Sequence, residues 1–200
     1  MPVKGDPGHG SGRRTQAERR ASTRAALVAA ARELFAAKGY AGAGREEIVE
    51  RAGVTRGALQ HHFGTKEDLF RAVFEAVEED VMRGVAVAST ASDDPLEQLR
   101  LGALAYLDVA ADLDVSRICL IEAPAVLRPD VRREVTDRYA TGMVREVLAA
   151  AMASGRIAEQ PVEPLSEVLL AALMQAATLV AQGGDRAALG GIIDRMLEGL

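Results

Sequence analysis

Arg56, Gln60, His61 and His62 occupy the outward side of a short predicted helix whose inward side is Leu59 and Phe63, four residues apart. Guanidinium and amide groups shown together on one helix face are the groups that read base edges and hold phosphates in a DNA major groove. The elements that must position them lie just upstream. Thr55 is a good N-cap, because its hydroxyl can accept from a free backbone N–H of the first turn. Gly53 supplies the permissive backbone of a sharp turn, with Val54 facing inward, and before it REEIVERA carries Ile48, Val49 and Ala52 at helical spacing. Two short helices around a glycine turn, the second showing Arg and Gln, have the plan of a helix-turn-helix.

Other chemistries find little footing. Adjacent helical residues point about 100° apart, so His61 and His62 cannot readily share one ion, and His9 is remote in the chain. No metal is expected. A P-loop, a Gly-x-Ser-x-Gly elbow and a second cysteine are all missing, so neither an enzyme nor a cofactor is expected. Cys119 has no partner for an intrachain disulfide and sits in the apolar run RICLIEA, which suits a packed core residue.

The chain of 200 residues is 48% hydrophobic and only 4% aromatic, which favours helices over strands and predicts an all-α protein. No uninterrupted apolar run approaches the roughly 18 residues that span a bilayer, and no apolar signal core opens the sequence, so a cytoplasmic protein is expected. Net charge is −5, but it is unevenly spread. Residues 1–66 hold twelve Lys and Arg against six Asp and Glu, a balance of +6; the other 134 residues hold twelve against twenty-three, or −11. A positive end on a negative body turns one face towards phosphate.

From about Thr23 to Val81 the chain resembles the DNA-binding domain of TetR-family transcriptional regulators. The resemblance rests on ALVAAARELFAAKGY, on EEIVERAGVTRGALQHHF and on GTKEDLF, in that order and spacing. It implies an N-terminal three-helix DNA-binding domain with a helix-turn-helix, followed by a C-terminal helical ligand-binding and dimerisation domain. The expected divisions are a flexible basic arm at residues 1–14, the DNA-binding domain at 15–65, and the effector and dimer domain at 66–200. Carried over residue by residue, the resemblance places Thr55 and the helix start on phosphate, and Arg56 on guanine or phosphate. Gly57 is placed at a close backbone approach, Ala58 on a thymine methyl, and His62 and Lys66 on phosphates, with Tyr40 packed under the motif. Two places depart from the family pattern: the run Ala43, Gly44 and Arg45, which stands where two hydroxyl residues and an apolar one are usual, and Gln60. Gly44 stands where a hydroxyl residue is usual, which removes one phosphate contact and weakens a cap. Gln60 replaces a usual tyrosine, and its amide can pair bidentately with adenine. His61 completes the expected DNA-facing set.

The rest reads as a helical body. Thr15 with Glu18, and Thr65 with Asp68, make capping boxes or their equivalents for a first helix running to Lys38 and closed by Gly39, and for a long fourth helix. By resemblance that fourth helix is the lever between ligand and DNA. Pro95 starts the next helix, Asp112 to Asp114 is expected to break it, and Arg117 to Ala123 to form a short helix ending before Pro124. By resemblance the helices from Leu96 to Met152 enclose an effector cavity, with Tyr106, Ile118, Ile121, Glu122, Val126, Tyr139 and Met143 as candidate lining for a small apolar effector. The last two helices, split by Gly183 and Gly184, carry more apolar surface than one buried side needs, which suggests a second subunit.

The expectation is therefore a homodimeric, ligand-responsive repressor on a palindromic operator. Two other classes compete: a protein-interaction adaptor that keeps the head, and a small-molecule binding protein without operator binding.

Overall fold

The computed structural model describes residues 15–200; the expected arm at 1–14, with His9, Arg13 and Arg14, lies outside them. All regular structure among the described residues is helical. α1 spans Gln16–Gly42 and opens with the capping box, Thr15 Oγ1 accepting from the Glu18 N–H at 3.2 Å while Glu18 returns to the Thr15 N–H at 2.7 Å. Gly39 breaks this helix at φ 72°, ψ 172°, and one further turn follows before Ala43. α2 is Arg45–Ala52, and Gly53, left-handed at φ 64°, makes the turn to α3, Arg56–His62. α4 runs Lys66–Ser89 from its own capping box of Thr65 and Asp68.

α5 is Pro95–Ala110, starting behind the Asp94 cap. Asp112 then caps a new helix, α6, which departs from expectation. It begins at Leu113–Val115, opens into a π-helical stretch at Ser116–Glu122, and ends as Ala123–Val126, passing through Pro124. In the wider register the Ala123 N–H bonds the Ile118 carbonyl, and Pro124 falls in the first turn of the closing α segment. A proline there lacks a donor that the position does not need, so it neither breaks nor ends the helix. α7 likewise runs as Pro129–Thr136, a π stretch Asp137–Thr141, and Gly142–Ala153. α8 is Val162–Ala181 and α9 is Arg186–Glu198.

One apolar cluster runs from α1 and α3 through α4 into α6 and α7, joining Phe35, Ile48, Leu59, Phe70, Val77, Ile118 and Val135. A second ties α5 to α8 and α9 through Leu107, Ala177 and Ile193. α4 therefore belongs to both halves of the molecule: Leu69, Phe70 and Val73 pack in the head, and Met82 and Val85 in the body. By length and composition alone α8 is apolar enough to cross a bilayer, but Glu163, Glu167 and Gln175 interrupt its apolar run, and 22% of its most apolar stretch is buried.

Candidate nucleic-acid interface and effector cavity

α3 is fastened from beneath by Leu59 and Phe63, which are 2% and 4% exposed, and its other side faces out. Thr55 Oγ1 accepts the Ala58 N–H at 3.1 Å and sets the first turn. The Arg56 guanidinium meets Glu46 at 2.5 Å, but both side chains are about three-quarters exposed, so the pair contributes little and can open towards a better anion. At Gly57 an added Cβ would come no nearer than 3.8 Å to any other group, so nothing inside the protein demands a glycine there. Gly44 begins α2 without a side-chain cap. His61 is exposed and His62 half-buried, their rings 5.5 Å apart. Desolvation, then His61, Arg20 and Arg24, hold the His62 pKa below its ordinary value. The basic start of α1 thus lies beside α3, with the Arg24 guanidinium 5.3 Å from the Phe63 ring.

Two side chains are committed differently from what their positions suggest. Gln60 accepts from Arg45 at 3.0 Å and donates to the Gly64 carbonyl at 3.4 Å, so both ends of its amide are engaged within the head. Lys66 lies 4.5 Å over the Tyr40 ring, half-buried, and burial lowers its pKa while Glu122 opposes that shift. Arg45 carries a role that the sequence reading did not assign to it. It bonds the Phe63 carbonyl at 3.2 Å as well as Gln60, tying the start of α2 to the end of α3. Nothing in the local pattern separates it from a solvated arginine at a helix start.

A cavity of about 260 Å³ lies in the body between α4, α5, α7, α8 and α9. Its α4 wall runs from Glu78 through Met82, Val85 and Ser89 to Thr90. At 1.5 Å per residue this is about 18 Å of the helix that begins in the head. Tyr106 and Met143, both expected, line it; so do Leu170, Leu173, Met174 and Met196. The other five expected lining residues are placed elsewhere. Ile118 is fully buried in the core, Ile121 is 53% exposed on the surface, and Val126 and Tyr139 pack against the core away from the cavity. Glu122 turns towards α1. The π register of α6 redirects this segment, so an α-helical reading assigns its faces wrongly.

Glu78 went unnoticed within the charged run EAVEED, yet it is only 9% exposed and stands on the cavity wall. Burial pushes its carboxyl up from 4.5 to about 6, partly offset by a hydrogen bond from the Cys119 thiol. Burial and Glu78 in turn push that thiol well up, so Cys119 stays protonated. A raised acid pKa costs stability at high pH: below 4.5 both states are protonated, and above 6 the folded state carries the full penalty. The shift corresponds to about 2 kcal/mol. Glu78→Gln is therefore expected to gain about that much on wild type between pH 4.5 and pH 7, read by urea unfolding. A difference that does not change with pH would contradict the buried charge.

The body grips the head at the break in α1. Arg117, in the π stretch, donates to the Ala36 and Ala37 carbonyls, both at 3.1 Å, occupying acceptors that the break leaves without helical donors. At Gly39 an added Cβ would collide with the Glu122 carboxylate, and the backbone angles there suit only glycine. Gly39→Ala is expected to lower stability by about 1–3 kcal/mol, measured as a shift in the denaturant midpoint.

Residues 96–200 match the family described as "Tetracyclin repressor-like, C-terminal domain", and residues 27–73 match "Bacterial regulatory proteins, tetR family". The chain is 35% identical over 127 residues to the HTH-type transcriptional regulator CymR of Pseudomonas putida, covering 62% of this chain and 63% of that one. It is 32% identical over 126 residues to the HTH-type transcriptional activator FasR of Mycolicibacterium smegmatis, covering 63% and 58%. It thus spans about three fifths of the length of these relatives. The crystal structure of a TetR-family transcriptional regulator from Pectobacterium atrosepticum superposes with a TM-score of 0.76 at 32% identity, over 92% of this chain and 94% of that one.

Proposed function

The chain belongs to the TetR family of bacterial regulatory proteins, and from that premise we propose that it is a homodimeric repressor which releases a palindromic operator when a small molecule fills the cavity. One observation carries the reading: three residues separate the end of α3 from the start of α4, which packs in the head through Phe70 and supplies one wall of the cavity. A ligand that prefers a different pose of α4 shifts the population of head positions, and the shift can be no larger than its differential affinity for the two states.

On DNA, Arg56 and Ala58 read base edges, while Thr55, His62 and the α3 backbone around Gly57 meet the sugar-phosphate chain. Arg20 and Arg24 lie beside this face and extend its positive surface, and His61 is exposed on it. The Gly44 amide and Lys66 complete the phosphate contacts, Lys66 by leaving or reaching past the Tyr40 ring. Gln60 serves first as a strut through Arg45, and it reads adenine only where an operator displaces those bonds. The partner subunit packs on α8 and α9, where Val168, Leu179, Ile192 and Met196 are exposed. The protein then acts in the cytoplasm, on DNA.

The test is a salt-titrated mobility shift on DNA flanking the protein's own gene, with Arg56→Ala beside wild type. Retardation should fall steeply with salt, as about 6–10 neutralised phosphates per dimer imply. Arg56→Ala, which leaves the core untouched, should cost roughly 1–3 kcal/mol of operator affinity. A folded dimer that retards no such fragment at low salt would sink this reading.

A further inference from the structure

Resting on the reading of the cavity as the effector site, we propose that its ligand is a small apolar amine whose protonated nitrogen seats on the Glu78 carboxylate. The argument starts from what surrounds that carboxylate. Glu78 lies between the main cavity and a crevice of about 10 Å³ lined by Val81, Tyr106, Cys119 and Leu120. Tyr106 faces it from α5 and Cys119 from the π stretch of α6. From α7 and α8 the cavity wall is Ala140, Met143, Leu170 and Met174, all uncharged. Among the described residues no Lys or Arg pairs with Glu78. Arg32, whose charge is felt at Cys119, is engaged by Asp80 at 2.7 Å.

An ionised carboxylate has about four acceptor positions, and a thiol is a weak donor, so most of this capacity is unmet. A buried charge is normally paired or removed. An ammonium group brings three donors and the opposite charge, and the resulting hydrogen bond is charge-assisted at both ends. An alcohol brings one donor and leaves the charge standing. A ligand carboxylate would place like charges together in an apolar site, which disfavours it most. The remaining wall fits the rest of such a molecule: it is chiefly aliphatic, and the thioethers of Met82, Met143, Met174 and Met196 adapt to irregular shapes. The cavity volume of about 260 Å³ lies just under the usual range for ligand sites, about 300–1,000 Å³, which points to a compact ligand.

The site also has a pH signature. Tyr106 and Cys119 both have raised pKa values and stay neutral, so Glu78 is the group at this corner that titrates near pH 6. Amine affinity should therefore fall as pH drops through that value, because a protonated Glu78 has lost the charge that holds the ammonium.

The experiment is calorimetric titration of the full-length protein with three probes of one skeleton, 4-phenylbutylamine, 4-phenylbutan-1-ol and 4-phenylbutanoate. It is run at about pH 7.5 and about pH 5 on wild type, Glu78→Gln and the cavity-filling Met143→Trp. For wild type at the higher pH the amine should bind about tenfold or more tighter than the alcohol, with the carboxylate weakest. Glu78→Gln should erase that order while still admitting the alcohol, and Met143→Trp should block all three. If amine and alcohol bind wild type equally and Met143→Trp blocks both, the cavity is the ligand site and the amine proposal is wrong. If no probe binds, or if Met143→Trp leaves binding intact, the effector-site reading falls and takes the proposal with it. The order of the three probes on wild type decides the matter even if a variant folds poorly.

Discussion

Val168→Glu combined with Leu179→Glu will leave a folded monomer that no longer retards operator DNA. The two positions are eleven residues apart on α8, three turns along one stripe with Ala172 and Gln175 between them. They are 61% and 40% exposed on a helix whose most apolar stretch is only 22% buried. Ile192 and Met196 of α9 are exposed as well. A stripe of this kind in water asks for a partner, and two-fold symmetry brings a patch against its own copy. Each glutamate would then be buried near its counterpart, so both desolvation and like-charge repulsion oppose association. Because the replaced side chains contribute little to the monomer's own core, helical content should be kept. Sedimentation should read a monomer at concentrations where wild type is dimeric, and DNA affinity should collapse because a single head reaches one half-site only. A double variant that remains dimeric would move the subunit interface off α8.

Phe70→Ala will cost about 3–5 kcal/mol, enough to unfold much of the protein near physiological temperature. Phe70 is fully buried on α4 and meets Phe35 edge-on at a ring separation of 5.1 Å and Tyr40 at 5.3 Å. Those two rings lie on either side of the Gly39 break, so one side chain of α4 braces both segments of α1. Lys66 rests on the far end of the same aromatic group. Removing the Phe70 ring deletes apolar contact and leaves a void bounded by rigid rings, which collapse poorly into it. Urea unfolding should show the loss, and operator retardation should go with it. Phe70→Leu, which fills most of the volume, should lose far less; equal losses in the two variants would argue against a packing role.

What could be read from the sequence follows the range of the interactions involved. The caps of α1, α3 and α4 close over three residues, Thr15 to Glu18, Thr55 to Ala58 and Thr65 to Asp68, so their pattern is complete in any short window. The turn at Gly53 and the Leu59 and Phe63 pair are equally local. The cavity is built from five helices, and its one buried acid looks in sequence like any member of a solvated charge run. Glu78 is covered by Tyr106 of α5 and Cys119 of α6, both far from it in the chain. Tyr106 and Met143, named by resemblance, line the cavity, whereas Ile121 and Glu122 lie in the π stretch and face away from it. Arg45 and Arg117 act on backbone carbonyls 18 and about 80 residues away, and no local pattern marks such reach.

The π-helical stretch at Ser116–Glu122 makes chain length, and not only composition, a matter of function. It holds one more residue than an α-helix would need to cover the same span, and each residue of a helix turns the chain by about 100°. Deleting a single residue inside it would let the segment relax to an ordinary helix between flanks that keep their places, while side chains inside the stretch would each be turned by about that angle. Arg117 would leave the carbonyls of Ala36 and Ala37, or Cys119 would leave Glu78; one register cannot serve both. Sequences that keep the head and body of this protein should therefore tolerate exchanges in this segment far more readily than insertions or deletions.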